Sequence, residues 1–167
     1  MATRTRMRLQ RRRDTKPEMV LRRLLHGRGL RYRTSLRGLP GSPDIAFTRA
    51  RLVVFVDGCY WHRCPVHATD PKTNGAWWQA KFAANVARDR RQTAELEQLG
   101  WTVLRVWEHE DMHLVADRVE ELWRYGASSG AGHRTAQSAV TLVDPRRANA
   151  GASDDGLGRT RPTACDG

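Results

Sequence analysis

Apolar positions recur along this chain with two different periods, and the switches between them predict the element order. Val20, Leu21, Leu24 and Leu25 form one stripe at helical spacing. The segment Thr15-Lys16-Pro17-Glu18 just before it fits a capping box, in which threonine and glutamate side chains satisfy each other's backbone N–H groups. Gly27 or Gly29 is the expected stop. A short strand is expected around Leu30 to Thr34. After the turn-rich run Gly38 to Pro43, the segments 44–47 and 52–56 read as two strands joined by a tight connection. Residues 58–75 carry no period and read as a loop rich in Cys, His and Pro. Trp78, Phe82, Val86, Leu96 and Leu99 predict a long helix over 76–99, ended by Gly100. Trp101 to Trp107 is apolar on both faces apart from Arg105, as a central strand would be. Leu114, Val115, Val119 and Leu122 predict a last helix that ends near Gly126. The order α-β-β-β-α-β-α is that of an α/β sandwich with a mixed sheet.

Composition adds boundaries to this picture. With 167 residues, 40% hydrophobic and 28% charged, the chain suits one domain and an appendage. Residues 1–14 lack apolar periodicity and are expected to be a flexible basic arm, 15–126 the folded domain, and 127–167 a disordered tail without Phe, Trp or Tyr. The longest apolar run, Leu52 to Val56, is too short to cross a bilayer, and no charged-then-apolar leader opens the chain, so a cytoplasmic protein is expected. The net charge of +11 is uneven, with six Arg and one Lys against one Asp in residues 1–16. Such a surface attracts a phosphate backbone through counterion release. A basic membrane-surface segment is the bland alternative. The tryptophans, spread over separate segments instead of one amphipathic helix, favour nucleic acid.

The densest chemistry lies in Cys59-Tyr60-Trp61-His62-Arg63-Cys64-Pro65-Val66-His67, with His109 just after the last strand. Cys59, Cys64, His67 and His109 supply the four soft ligands of a closed tetrahedral zinc site, which would be structural. Independent surface groups are the competing reading. A disulfide framework is disfavoured, since three cysteines cannot all pair and Cys59 and Cys64 are crowded beside histidines. His62 is left over as an imidazole able to move protons near neutral pH, or simply to hydrogen-bond. Asp44 opens a strand after Pro43, where its carboxylate suits a hard cation such as Mg²⁺, with a turn-capping role as the alternative. Pro43-Asp44 and Val56-Asp57 come together in any hairpin-like pairing of the two strands. For Glu18 the capping box alone is a sufficient explanation.

Met7-Arg8, Arg13 to Glu18, Leu39 to Asp44, Asp57 to His62, Trp78, Lys81, Asn85 to Arg91 and Leu99 to Glu108 together resemble the very short patch repair (Vsr) endonucleases. The match spans about residues 4–125 in order and spacing. The resemblance implies a PD-(D/E)xK restriction-endonuclease-like core with a structural zinc loop. It implies a Mg²⁺-dependent endonuclease that nicks one strand of double-stranded DNA beside T·G mismatches left by deaminated 5-methylcytosine, initiating mismatch repair. Asp44 matches the metal-binding aspartate, with the main-chain carbonyl of Val56 as companion ligand. His62 matches the catalytic histidine and Glu18 a supporting acid. Cys59, Cys64, His67 and His109 match the structural zinc ligands. Tyr60, Trp61 and Trp78 match an aromatic wedge entering from the major groove, and Met7 an arm residue entering from the minor groove. Lys81 and Asn85 match helix residues near the mismatch, and Arg88, Arg90 and Arg91 belong to the same basic run.

A monomer acting in the bacterial nucleoid, linked to a cytosine-5 DNA methyltransferase and other repair proteins, is the implied setting. Relatives often have threonine at the position of Val56 and histidine at that of Asp57, and cysteines in place of His67 or His109. No lysine occupies the strand position where the wider superfamily has one, which puts weight on His62. Two rivals remain open: a restriction enzyme or structure-specific nickase of the same fold, and a zinc-stabilised DNA-binding module without catalysis.

Overall fold

The computed structural model describes residues 13–129. Most of the arm, with Met7, and nearly all of the tail lie outside the described residues. The elements are α1 (Lys16–Gly27), β1 (Ile45–Phe47), β2 (Leu52–Asp57), α2 (Gly75–Gln98), β3 (Thr102–Trp107) and α3 (Met112–Ser129). The sheet is mixed, ordered β1-β2-β3, with β1 antiparallel and β3 parallel to β2. The parallel pair requires a crossover, and α2 provides it.

Period-two alternation divides the strands between two cores. Ile45, Phe47, Leu52, Val54, Leu104 and Val106 face α1 and α3, packing on Leu21, Leu25, Val115 and Val119. Ala46, Val53 and Phe55 face the other way, toward Leu96 and Trp101 at the end of α2. Each fully buried leucine or valine contributes about 1.5–3 kcal/mol. The α1–α3 layer is also clamped by Arg28, which pairs with Asp117 (2.7 Å) and Glu120 (3.1 Å).

Three expectations change. The strand anticipated at Leu30 to Thr34 is a single antiparallel bridge, Arg33 to Ala46, so the order is α-β-β-α-β-α. Left-handed backbone at Gly29 (φ 80°) and Ser35 (φ 52°) turns the chain at both ends and leaves too little length for a ladder. The central strand is β2, not 101–107. Among the described residues β3 lies at an edge, with Leu104, Val106 and Trp107 buried and Val103 half-buried because helices cover both sides. Leu99 is 52% exposed, since α2 ends at Gln98 and Leu99 caps it.

The last helix continues through Gly126 to Ser129. Gly126 rests on the β1–β2 turn, where an added Cβ would lie 2.4 Å from the Ala50 carbonyl oxygen. Gly126→Ala should therefore lower unfolding stability by about 1–3 kcal/mol, measured by chemical denaturation, although alanine is the better helix former.

Candidate active site and metal centre

The residues with unexplained chemistry gather where β1 begins and β2 ends. The antiparallel pairing extends past Ile45–Val54 through the Asp44 N–H, which donates to the Val54 carbonyl oxygen at 3.1 Å, and the Val56 N–H donates to Asp44 Oδ2 at 2.8 Å. Glu18 reaches the same place from α1 and is 3% exposed. Burial pushes the Asp44 carboxyl up from its usual 3.8 to about 6; the Val56 N–H opposes this, and the charges of Glu18 and Asp57 add to it. A carboxylate held among other carboxylates suits a hard divalent cation, which would offset that repulsion.

The capping box forms differently from the expectation. Glu18 Oε1 accepts the Thr15 hydroxyl (2.8 Å) and Oε2 the Asp14 N–H (2.9 Å), and no side chain caps the helix. Because the Glu18 carboxyl is drawn inside, the threonine hydroxyl serves as its donor and is not an acceptor for the helix. Arg22 completes this corner, donating to Glu18 Oε2 (3.3 Å) and to the Asp44 carbonyl oxygen (3.2 Å).

His62 lies in the loop after β2, with Nδ1 2.6 Å from Asp89 Oδ2 and 3.5 Å from Asp57 Oδ1. Asp89 is 2% exposed, on the inner stripe of α2 formed by Phe82, Asn85, Asp89 and Leu96. Sequence reasoning missed it by treating Arg88 to Arg91 as one basic run. Its signal was a lone acid seven residues after Phe82 and seven before Leu96, on the buried face of a helix. Asp57, expected near Asp44 from the strand pairing but given no role of its own, is buried and receives a two-pronged ion pair from Arg105, Nε to Oδ2 at 2.8 Å and a terminal nitrogen to Oδ1 at 2.7 Å.

The loop's soft ligands also converge. One ligand atom each from Cys59, Cys64, His67 and His109 all lie within 4.8 Å of one another. Cys59 Sγ is 3.0 Å from His109 Nδ1, and Cys64 Sγ is 3.7 Å from His109 Nδ1 and 3.9 Å from His67 Nδ1. A tetrahedral ion bonded at about 2.0–2.3 Å would separate its ligands by about 3.3–3.8 Å, so this group can hold a metal ion. Burial and the adjacent Cys64 thiol push the Cys59 thiol up to about 12, so taking up a cation here would release protons. His62 stands outside the group, on Asp89.

The aromatic residues form one cluster above the first turns of α2. Tyr60 meets Trp61, Trp78 and Phe82 edge-on at 5.2, 5.9 and 5.3 Å between centroids, and Trp61 is tilted against Trp78 at 6.1 Å. Tyr60, Trp61 and Trp78 are each half-buried. Trp77, which sequence reasoning passed over, is 60% exposed and edge-on to Trp78. Lys81, Arg88, Arg90 and Arg91 are exposed along α2, with Arg88 3.6 Å from Asp89 and Arg91 3.7 Å from Glu95. Asn85 is buried and donates to the Trp61 carbonyl oxygen at 3.2 Å, tying the loop to the helix.

A small mixed α/β fold that collects buried acids, an imidazole, a soft-ligand cluster and an aromatic group along one rim has the parts of a nuclease. Comparison with known proteins is specific. The family model described as "DNA mismatch endonuclease Vsr" matches residues 2–67. The chain is similar to type II nicking enzyme V.NaeI of Lentzea aerocolonigenes, 48% identical over 111 residues, covering 64% of this chain and 67% of that protein. It is 46% identical over 99 residues to type II nicking enzyme V.XorIIP of Xanthomonas oryzae pv. oryzae, covering 58% of this chain and 72% of that protein. It is 44% identical over 98 residues to DNA mismatch endonuclease Vsr of Escherichia coli, covering 58% and 62%. The chain belongs to the Vsr family of DNA endonucleases. Among the described residues no helix is long and apolar enough to cross a membrane.

The raised Asp44 pKa has a consequence for stability. The folded state holds this proton more tightly than the unfolded chain, so stability is greatest below about pH 4 in this respect and is lost as pH rises toward and past about 6. In Mg²⁺-free buffer, Asp44→Asn should be more stable than the parent at pH 7–8, by about 2–3 kcal/mol at most, and the gap should close near pH 4. Thermal melts at the two pH values check this.

Proposed function

We propose that this protein is a strand-specific endonuclease that nicks DNA beside T·G mismatches arising from deaminated 5-methylcytosine and so initiates very short patch repair. The observation that carries the reading is the meeting of Asp44, Glu18 and the His62–Asp89 pair at one end of β2 in a chain of the Vsr family. The core corresponds to a PD-(D/E)xK arrangement reduced to three strands among the described residues. Asp44 holds Mg²⁺ together with the main-chain carbonyl of Val56, whose N–H already lies on the Asp44 carboxylate. When bound there, the ion polarises phosphoryl oxygens and stabilises developing charge.

His62 performs the proton transfer. With Nδ1 on the Asp89 carboxylate, the imidazole keeps its Nε2 as the basic nitrogen that takes a proton from the attacking water as the phosphodiester bond breaks. Glu18 supports the site from α1 and, with Arg22, keeps the first helix against the start of β1. Zn²⁺ in the Cys59, Cys64, His67 and His109 group is structural and pins the loop that carries His62.

Recognition uses the aromatic group. Tyr60, Trp61 and Trp78 enter beside the weakened pair from one groove and Met7 of the arm from the other, because unstacking costs least at a defective pair. Lys81 and Asn85 lie near the mismatch, and Arg88, Arg90 and Arg91 with the basic arm supply phosphate affinity. The protein acts as a monomer in the bacterial nucleoid, alongside a cytosine-5 DNA methyltransferase and other repair proteins.

Nicking of matched and T·G duplexes, with and without Mg²⁺, tests the reading. Mg²⁺-dependent cleavage of one strand of the T·G duplex alone is expected, abolished in Asp44→Ala and His62→Ala while mismatch binding persists. Equal cleavage of both duplexes would make the chain a nickase of another specificity. Met7→Ala with Trp61→Ala should reduce the preference for the mismatch more than general DNA affinity.

Metal analysis addresses the loop separately. One tightly held zinc per chain is expected, lost together with thermal stability in Cys59→Ser/Cys64→Ser. Protein without zinc would refute the assignment.

A further inference from the structure

The most unusual feature of the fold is a chain of buried charge between β2, β3 and α2 that the proposed chemistry does not fully use. The side chains of Asp57, Asp89 and Arg105 are 4, 2 and 8% exposed. The parity of the strands explains how they meet: Phe55, Asp57 and Arg105 share the face covered by α2, and Arg105 pairs in register with Phe55. The Arg105 guanidinium lies over the Phe55 ring at 4.6 Å and grips both oxygens of Asp57. The same terminal nitrogen that contacts Asp57 lies 3.4 Å from Asp89 Oδ1, and the other oxygen of Asp89 meets His62 Nδ1 at 2.6 Å.

Two carboxylates this close repel each other unless a cation stands between them. Arg105 is that cation. Its planar fork sits flat on an aromatic ring and is locked on Asp57, so its position is set by the sheet and not by solvent. Asp89 is therefore presented in one orientation, with one oxygen turned to arginine and the other to the imidazole. A carboxylate accepts only, so Nδ1 must carry the hydrogen and Nε2 is left as the basic nitrogen.

We propose that the Arg105–Asp57 pair is a positioning unit that, acting through Asp89, fixes the ring orientation and tautomer of His62. Arg105 acts on the ring through the carboxylates it holds, and Asp57 also faces the ring itself, with Oδ1 3.5 Å from His62 Nδ1. The inference rests on the reading of His62 as the proton-transferring group, but the tautomer can be examined without it. A lysine at this position would keep the charge and lose the fork.

The test uses the full chain, with single-turnover nicking of a T·G duplex, duplex binding, thermal melts and ¹⁵N NMR of the His62 ring. In the parent, the Nδ1–H tautomer is expected for the neutral ring. In Arg105→Lys the ring should populate both tautomers, and the nicking rate should fall about 10- to 100-fold with duplex affinity unchanged, the size of effect expected for a misplaced catalytic group. If Arg105→Lys does not fold, Asp57→Asn combined with Arg105→Met removes the two charges of the pair together and leaves Asp89 with His62 and with Arg88 at 3.6 Å, and the same two changes are expected. A folded variant of either kind with the parental tautomer and parental rate overturns the proposal. Loss of rate without a change of tautomer also overturns it. A fully active His62→Ala would instead refute the role of His62 in the reaction, and the NMR result would still decide whether Arg105 orients the ring.

Discussion

The central strand of the sheet ends in a carboxylate that is shut off from bulk water, and the surroundings of the site are arranged by the need to keep Asp57 paired. Its partner has to come from the neighbouring strand on the same face, and Arg105 is the residue there. Burying that pair makes the α2-facing side of this end of the sheet polar. Helix α2 accordingly presents Asn85 and Asp89 on its inner stripe, where Phe82 and Leu96 supply the apolar contacts on either side. A buried ion pair is weak evidence of stability, since replacing it with well-packed apolar groups often costs nothing. Its value here is directional: the guanidinium joins β2 and β3 to the helix that holds His62.

The loop after β2 is anchored by polar and soft-ligand contacts, not by a core of its own. Between Gly58 and Asn74 there is no regular element, and Cys59 and Cys64, packed with Trp107 of β3, are all the buried apolar material the loop contributes. The anchoring starts at the strand. Glu108 takes its N–H to the Asp57 carbonyl oxygen (3.0 Å) and accepts the Cys59 N–H on its carboxylate (2.7 Å), so the loop is fastened to the end of β3 before it departs. The converging Cys and His ligands then close it, and Asn85 ties the Trp61 carbonyl to α2. His62 lies between Trp61 and Cys64 and inherits its place from both attachments. A segment without regular structure thus holds a side chain in a defined place.

The same economy appears at α1. Glu18 is drawn into the site side of the helix, so the first turn loses its side-chain cap and Arg22 becomes the link between α1 and the start of β1. Local helix preference is overridden here by the electrostatics of a buried acid. The aromatic group above α2 is a further exception to ordinary burial, since Trp77 remains largely exposed and Tyr60, Trp61 and Trp78 only half-covered. Such surface on a small domain marks a contact region.

The sequence by itself determined the elements whose signal is local. The apolar stripe of Leu21 and Leu25, the runs at 44–47, 52–56 and 101–107, and the crossover helix stopped by Gly100 all follow from period and punctuation. It also carried the candidate ligands Cys59, Cys64, His67 and His109 and the acid Asp44, because ligand chemistry and spacing are written in residue types. Tertiary structure alone decided how these parts face one another. That Leu30 to Thr34 yields a bridge and not a strand depends on turns at Gly29 and Ser35, and that β3 is an edge strand depends on the pairing order. Asp89 was hidden among arginines, and Arg105 read as an exception in an apolar strand, until the sheet and α2 brought them to Asp57 and His62. The reason is physical: a buried charge is tolerated only through partners distant in sequence, and no local pattern reports which partners the fold will supply.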